Sequence, residues 1–360
     1  MITINELFSG IGAQVAALKR LGVEYETVGI SEIDRFAIQS YEAINGKTRN
    51  YGDISKAVAL DYADLWTYSF PCTDISLAGK QAGLTDETGK QTRSGLLFEV
   101  ERLLRKSVED GNQPKYLLLE NVKNLVGKKF KPEFDKWLST LEDLGYNNYW
   151  KVLNAKDYGV PQNRERVFVV SIRKDVDTHG YTFPEPFKLE RRLKDVLETN
   201  VDEKFYLKQD IVKSFIERLS KREISNTIRC GGAGSIDQKH TWDLVAEPKI
   251  HQLGNVFPTK KRDNPNTGRV YDTSGIGACL NTMGGGNREP CVLEKCYSDG
   301  VRIRKLTPKE CWRLMGFTDE EYEAAEKAGV SKTQLYKQAG NSIVVSVLAG
   351  IFNNLLGEQK

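Results

Sequence analysis

A cysteine follows a proline in the stretch Ser69-Phe70-Pro71-Cys72-Thr73-Asp74-Ile75-Ser76. Just before it, Leu65-Trp66-Thr67-Tyr68 is apolar enough for a buried strand. Pro71 has no N–H to give a strand ladder, so the strand must stop there. Cys72 then stands past the carboxyl end of a strand, where open α/β sheets hold their ligands. The following stretch, 75–97, carries Gly79, Gly83, Gly89 and Gly95 among charged residues. A cysteine beneath such a loop is a candidate nucleophile under a lid. A free cysteine is also a small hydrophobe that packs in cores, and Cys72 alone does not decide between the two.

A second chemical feature lies at the N-terminus. Residues 2–8 read as a strand and Ser9-Gly10-Ile11-Gly12-Ala13 as a tight glycine turn. Val15, Ala16, Leu18 and Leu21 have helical spacing, and Gly22 ends the helix. Tyr25–Ile30 reads as the next strand, with Glu32 just beyond it. A glycine turn lets backbone approach a ligand, and an acid at the end of the second strand can accept hydrogen bonds from ribose hydroxyls. The pattern is neither G-x-G-x-x-G nor a phosphate loop followed by lysine. A nucleoside cofactor without a pyrophosphate fits it better than NAD. A turn with no ligand fits as well.

The elements that must position these groups alternate. Asp34 is placed to cap a helix through Tyr41 and Ile44. Tyr51-Gly52-Asp53-Ile54 is a short loop carrying an acid. Ser94 can cap a helix whose Leu96, Leu97, Val100, Leu103, Leu104 and Val108 share a face. Lys115–Leu119 is an apolar strand with Glu120-Asn121-Val122 at its end, and a helix over 134–144 stops at Gly145. Val167–Ile172 is another apolar strand, preceded by Gln162-Asn163-Arg164-Glu165-Arg166. Such alternation predicts a doubly wound α/β fold, mostly parallel, with helices on both faces. After about Arg173 the texture changes to turns, short strand-like pieces and glycine clusters, which predicts a separate β-rich domain up to about Val301. Helical texture returns with Thr307 as N-cap and Pro308 at the first helical position. A last helix follows Gly340-Asn341-Ser342, with Ile343, Val344, Val347, Leu348 and Ile351 on its apolar face.

Composition sets broad limits. Hydrophobic content of 39% and charged content of 28% are those of a soluble globular chain. No run approaches the roughly 20 apolar residues of a membrane span, and no export signal precedes the first strand. Six cysteines without a Cys-x-x-Cys pair predict neither a disulfide scaffold nor a metal site, so a cytoplasmic location is expected. Net charge is only +3, but residues 181–270 hold 17 Lys/Arg against 13 Asp/Glu. The difference of +4 concentrates the positive excess in the middle segment.

Five motifs stand in a telling order: Phe8-Ser9-Gly10-Ile11-Gly12, Pro71-Cys72, Glu120-Asn121-Val122, Gln162-Asn163-Arg164-Glu165-Arg166 and Gly340-Asn341-Ser342-Ile343-Val344. In order and spacing the chain resembles the cytosine-C5 DNA methyltransferases, of bacterial restriction–modification or prophage type, over nearly its whole length. The resemblance implies a Rossmann-like, S-adenosylmethionine-dependent catalytic domain at 1–180, an inserted target-recognition domain at 181–303 and a C-terminal segment, 304–360, completing the first. It makes Cys72 the nucleophile that adds to cytosine C6, so that C5 becomes enamine-like. Glu120 would hold or donate a proton at N3, and Arg164 and Arg166 would supply cations at the reacting groups. For S-adenosylmethionine it implies Phe8 against the adenine, the Ser9, Gly10, Ile11 and Gly12 backbone along the methionine part, Glu32 on the ribose and Asp53 on the adenine amino group. Ile33, Ile54, Pro71, Asn341 and Ser342 complete that pocket.

The implied substrate is a specific sequence in double-stranded DNA, with the cytosine flipped out of the helix. Thr73, Ser76, Lys80, Gln81 and Arg93 are the candidates for DNA contact from the loop. Arg229, Arg269, Tyr271, Cys279, Leu280 and Gly285 are those from the recognition segment. A cognate restriction endonuclease, acting separately, is the candidate partner, and the enzyme is expected to be a monomer. An RNA-directed relative and a non-catalytic DNA-binding descendant are the alternatives. The chain departs from the family pattern with Glu6 where Asp is usual, Ala13 where Gly is common, and Thr73 where Gln usually follows the cysteine. Cys279-Leu280 replaces the usual Thr-Leu pair, and Glu87–Ser94 lengthens the loop.

Overall fold

The computed structural model describes residues 1–72, 75, 83–84, 92, 94–227, 249–259, 265, 267–282, 288–296 and 300–357. The first half builds a six-stranded sheet. Its elements are β1 (Ile2–Leu7), α1 (Ala13–Leu21), β2 (Tyr25–Ser31), α2 (Arg35–Asn45), β3 (Leu65–Tyr68), α3 (Leu97–Glu109), β4 (Tyr116–Val122), α4 (Lys131–Asp143), β5 (Tyr146–Asn154), the short β6 (Gln162–Asn163) and β7 (Glu165–Arg173). The strand order is β2-β1-β3-β4-β7-β5. Strands β1 to β4 are mutually parallel, and β7 runs antiparallel to both β4 and β5.

Alternation along the strands sends successive side chains to opposite layers. Tyr116 and Leu118 of β4 join one core, while Leu117 and Leu119 join the other. The second core is closed by α3 and α4 through Val100, Leu103, Leu104, Phe134 and Trp137. The first is closed by α1 and by the C-terminal helices. The doubly wound arrangement read from the sequence is therefore present.

Local signals explain most of the helix ends. The Asp34 carboxylate accepts from the Phe36 and Ala37 amides, and Gly22 closes α1 in the left-handed conformation. Two expectations for α3 are corrected. Ser94 opens a 3-10 turn, Ser94–Leu96, that precedes the helix, and its hydroxyl donates to the Pro71 carbonyl at 2.7 Å. Val108 is turned out to solvent.

The second half comprises α5 (Gln209–Thr227), β8 (Gln252–Asn255), β9 (Arg269–Tyr271), β10 (Gly277–Ala278), β11 (Cys291–Cys296), β12 (Gly300–Lys305), α6 (Pro308–Leu314), α7 (Asp319–Lys327), α8 (Lys332–Asn341) and α9 (Val345–Leu356). Strands β12-β11-β9-β8 form a separate sheet. Val212 and Phe215 of α5 pack on it with Val256, Val270, Cys291 and Ile303, a small core of its own. Tyr181, Leu193 and Val196, by contrast, pack in the main core.

Two joints tie this half of the chain to the main body. In one, β10 pairs in parallel with β6. In the other, Arg304 of β12 forms a two-pronged pair with Glu310 of α6, both contacts 2.8 Å, and both residues have no exposed surface. Glu310 also completes a capping box with Thr307. The last helix expected after Gly340-Asn341-Ser342 is α9; it begins at Val345, so Ile343 and Val344 precede it, and a further helix, α8, contains Gly340 and ends at Asn341. Together Lys332–Leu356 is apolar and long enough, by composition, to cross a membrane. It is broken between α8 and α9 and mostly buried in the main core.

Candidate active site

The carboxyl ends of β3 and β4 bring the reactive groups together. Beyond Tyr68 the chain is held close to β4, because the Asn121 amide donates to the Phe70 carbonyl at 3.1 Å. Cys72 follows, half-buried, and its carbonyl accepts from the Ile75 amide. Glu120 is 7% exposed. Its Oε2 accepts from Ser69 Oγ at 3.2 Å, and its Oε1 lies 3.2 Å from Arg166 Nε. The β4–β7 register opposes Val122 to Arg166 and Glu120 to Phe168. Glu120 and Arg166 thus share one face as a diagonal pair, within reach of long side chains.

Electrostatics at Cys72 are divided. Burial pushes the thiol above its ordinary range and the Glu120 charge adds to this, while Arg166 and Arg164 pull it back. The resting group is a thiol. Removal of the Glu120 charge takes away one of the two causes that raise it and leaves burial alone against the two arginines.

Arg164 and Arg166 are two residues apart and differently placed. Arg164 is 3% exposed, and it donates to the carbonyls of Leu280, Gly340 and Ser342 at 3.0, 3.0 and 2.8 Å. It clamps the 279–282 segment to the end of α8. The fit there is tight: a Cβ on Gly340 would lie 1.9 Å from the Asn281 carbonyl oxygen, so only glycine is accommodated. Gln162 reinforces the clamp, accepting from the Leu280 amide at 3.1 Å and donating to the Leu314 carbonyl at 2.8 Å. The sequence flagged Gln162 only as part of a motif, because its partners are far away in the chain.

The glycine turn forms the second half of the site. Phe8 has φ of +59°, the one left-handed non-glycine residue among those described, a strain that clusters at functional loops. Gly10 and Gly12 are left-handed as well. Glu32 braces the turn: its Oε2 accepts from the Gly10 amide at 2.9 Å and its Oε1 from the Ile33 and Asp34 amides at 2.8 Å each. Ser9 Oγ is buried with no partner among the described residues, and a Cβ on Gly10 would meet nothing within 4 Å. A buried free hydroxyl beside open space over a backbone turn fits a ligand lying across it. Ile33 is 72% exposed beside this turn. Asp53 Oδ1 accepts from the amide and hydroxyl of Ser55. Ile11 and Ile54 are buried in the two cores, so their backbone alone is available to a ligand. Pro71 and Ser342 are half-buried and Asn341 is exposed at the α8–α9 junction.

Of the expected DNA-contact residues, Thr73, Ser76, Lys80, Gln81, Arg93, Arg229 and Gly285 lie outside the described residues. Tyr271 and Leu280 pack in the main core. Arg269 Nε donates to the Pro265 carbonyl. Cys279 is exposed, with its sulfur 3.6 Å from Arg164 Nη1 and 3.9 Å from Arg166 Nη2. Among the described residues no cluster of His, Cys, Asp and Glu could hold a metal ion.

The family model described as C-5 cytosine-specific DNA methylase matches residues 2–357. The type II methyltransferase M2.ScrFI of Lactococcus lactis subsp. cremoris is 34% identical, with all of both chains covered. The type II methyltransferase M.HhaI of Haemophilus parahaemolyticus is 32% identical over 97% of this chain and 93% of its own. An orphan methyltransferase of Bacillus phage SPbeta is 32% identical over 99% and 97%. Among solved structures, S. pombe Dnmt2 methyltransferase superposes with a TM-score of 0.64 at 18% identity, covering 100% of both chains. An E. coli prophage-encoded putative DNA modification methyltransferase gives 0.61 at 20% identity, covering 99% of both. These two structures bear on the fold alone.

Proposed function

The chain belongs to the C-5 cytosine-specific DNA methylase family and transfers a methyl group to carbon 5 of cytosine in DNA, and we propose that it does so within a defined duplex sequence, with S-adenosylmethionine as donor and Cys72 as nucleophile. The observation that carries this reading is the convergence of Cys72, Glu120 and Arg166 at adjoining strand ends, with Glu120 3.2 Å from the Arg166 guanidinium. The target base is flipped out of the helix to reach these groups.

In this reading Glu120 holds a proton at cytosine N3. That neutralises the carboxylate which opposes ionisation of Cys72. The thiolate then adds to C6, the electron pair of the C5–C6 bond moves toward C5, and Arg166 offsets charge building on the ring. S-adenosylmethionine, when bound, supplies an electrophilic methyl group. Phe8, the Ser9–Gly12 backbone, Glu32 and Asp53 would hold it, and Asn341 and Ser342 would close the pocket. Loss of the C5 proton and release of the Cys72 sulfur restore the ring.

Monomeric action, a cytoplasmic location and a separately acting restriction endonuclease as companion belong to the same proposal. The test is a duplex carrying 5-fluorocytosine at the target, where fluorine replaces the C5 hydrogen and cannot leave as a cation. A covalent complex on Cys72 is expected in the presence of S-adenosylmethionine. An enzyme that methylates ordinary duplex DNA but traps nothing would overturn the adduct. Methyl incorporation into tRNA in preference to duplex DNA would overturn the substrate.

A further inference from the structure

We propose that Cys279 is a second reactive thiol at the active site, the one that electrophiles and hydroperoxides meet first, and that its modification shuts methyl transfer down. Cys279 directly follows β10, and its side chain is exposed while that of Leu280 is buried. Its sulfur is the point where two guanidiniums converge, at 3.6 Å and 3.9 Å. One of them is fixed: Arg164 is 3% exposed and pinned by three backbone carbonyls, and its Nε is buried without a partner among the described residues. A buried guanidinium held only by neutral acceptors and aimed at a sulfur favours an anion there.

The same two arginines act on both active-site thiols, with opposite results. At Cys279 burial works against ionisation, but Arg164 and Arg166 outweigh it and the thiol falls below its ordinary range. At Cys72 burial and the Glu120 charge prevail over the arginines, and the thiol is raised. Reactivity follows thiolate character and access, and Cys279 leads in both. With a hydroperoxide, the Cys279 thiolate attacks one oxygen, an S–O bond forms and the O–O bond breaks. Sulfur is oxidised by two electrons and the peroxide is reduced to the alcohol, or to water, taking its proton from solvent. The sulfenate is again an anion, held by the arginines that favoured the thiolate. Arg166 also serves Glu120, so a group grown on Cys279 draws that cation away and fills the edge of the pocket.

The chemical claim stands apart from the proposed function; only the activity arm of the test rests on it. The full-length protein without DNA is treated at pH 7 with limiting iodoacetamide, and adducts are located by mass spectrometry. Cys279 should be labelled at least about fivefold faster than Cys72; equal rates, or Cys72 first, would overturn the proposal. In the activity arm hydrogen peroxide is added and the sample is divided: sulfenic acid is trapped with dimedone in one portion, and methyl transfer to duplex DNA is followed in the other. Activity should fall in step with the Cys279 adduct of the first portion and return with dithiothreitol in the second, which holds no dimedone. Cys279→Ser should keep a larger share of its own untreated activity after the same dose. An equal fractional loss in that variant would overturn the functional half and leave the labelling order to decide the rest.

Discussion

The strand-end pocket and the joint beneath it use the same kinds of side chain to opposite ends. In the pocket Glu120 has one hydroxyl donor and one guanidinium, Cys72 is half-buried, and Arg166 divides itself between Glu120 and Cys279. In the joint Arg164 is engaged by three carbonyls, and Arg304 by both oxygens of Glu310 and one of Glu294. The joint is closed because its partners are all intramolecular. The pocket is open because some of its partners have to come from a substrate. Polar groups satisfied within the fold fix geometry; groups left partly satisfied do chemistry. Arg164 and Arg166, two residues apart, fall on either side of that division.

The contrast breaks most visibly at Cys72. Cys72→Ser should lower methyl transfer by at least about a thousandfold, since a hydroxyl is a far poorer nucleophile at neutral pH. Binding of S-adenosylmethionine, measured by calorimetry, should stay within about twofold. Retained transfer would show that the pocket works without covalent catalysis. Glu120→Gln comes next, with a loss of about a hundredfold or more. The same change carries a signature that a merely structural role lacks. The Glu120 charge is one of the causes that raise the Cys72 thiol, so its removal should move Cys72 alkylation to lower pH. A less active enzyme with a more reactive cysteine is the expected pair of results, and an unmoved alkylation profile would contradict the electrostatic argument.

How far these two regions could be read from the sequence differs for the same reason. Asp34, Gly22 and the Thr307/Glu310 box were legible because a cap and its partner lie within a few residues. Cys72, Glu120 and Arg166 were legible as motifs, since the residue types needed for the chemistry survive in one-dimensional form. The joint was not. Gly340 is required by Asn281, 59 residues earlier, and Arg164 reaches acceptors 116 to 178 residues away. Helix α7 escaped notice although Thr318-Asp319-Glu320-Glu321 spells a capping box that the structure contains. Its face toward the core is only Tyr322 and Ala325, too narrow for a periodic signal. The low thiol at Cys279 was invisible, because its cause is a pair of arginines more than a hundred residues distant.

The arginine pair sharpens the comparison in a single experiment. Arg164→Ala removes the guanidinium donor from the carbonyls of Leu280, Gly340 and Ser342, at roughly 1 kcal/mol for each lost bond. A loss of about 3 kcal/mol in urea-induced unfolding is expected. Arg166→Ala should cost less stability, because it gives up one contact to Glu120, a weak one to Cys279 and an exposed one to the neighbouring Glu165 carbonyl. Its cost should appear in the rate of methyl transfer instead. If both variants lose stability equally, the division between joint and pocket is wrong.

The smallest expected effect concerns a group that belongs to neither region. Glu6 of β1 has no exposed surface, accepts from the Tyr41 hydroxyl at 2.7 Å, and leaves Oε1 without a partner among the described residues. Burial raises its pKa to about 7, against the opposing pulls of Tyr41, Val15 and Lys19. In the unfolded chain the carboxyl ionises near its ordinary value of 4.5. The folded state therefore keeps a proton that the unfolded state gives up. The contribution of Glu6 to stability is fully present below about pH 4.5, declines as pH rises toward 7, and is lost above that. Its size is at most about 3 kcal/mol, from the difference between the two ionisations. Glu6→Gln keeps the shape and removes the proton. The difference in unfolding free energy between the wild type and this variant should shift in favour of Gln from pH 5 to pH 7.5 and then level off. A difference that stays flat across that range would mean that Glu6 is ionised in the fold, with a buried partner the contacts above do not include.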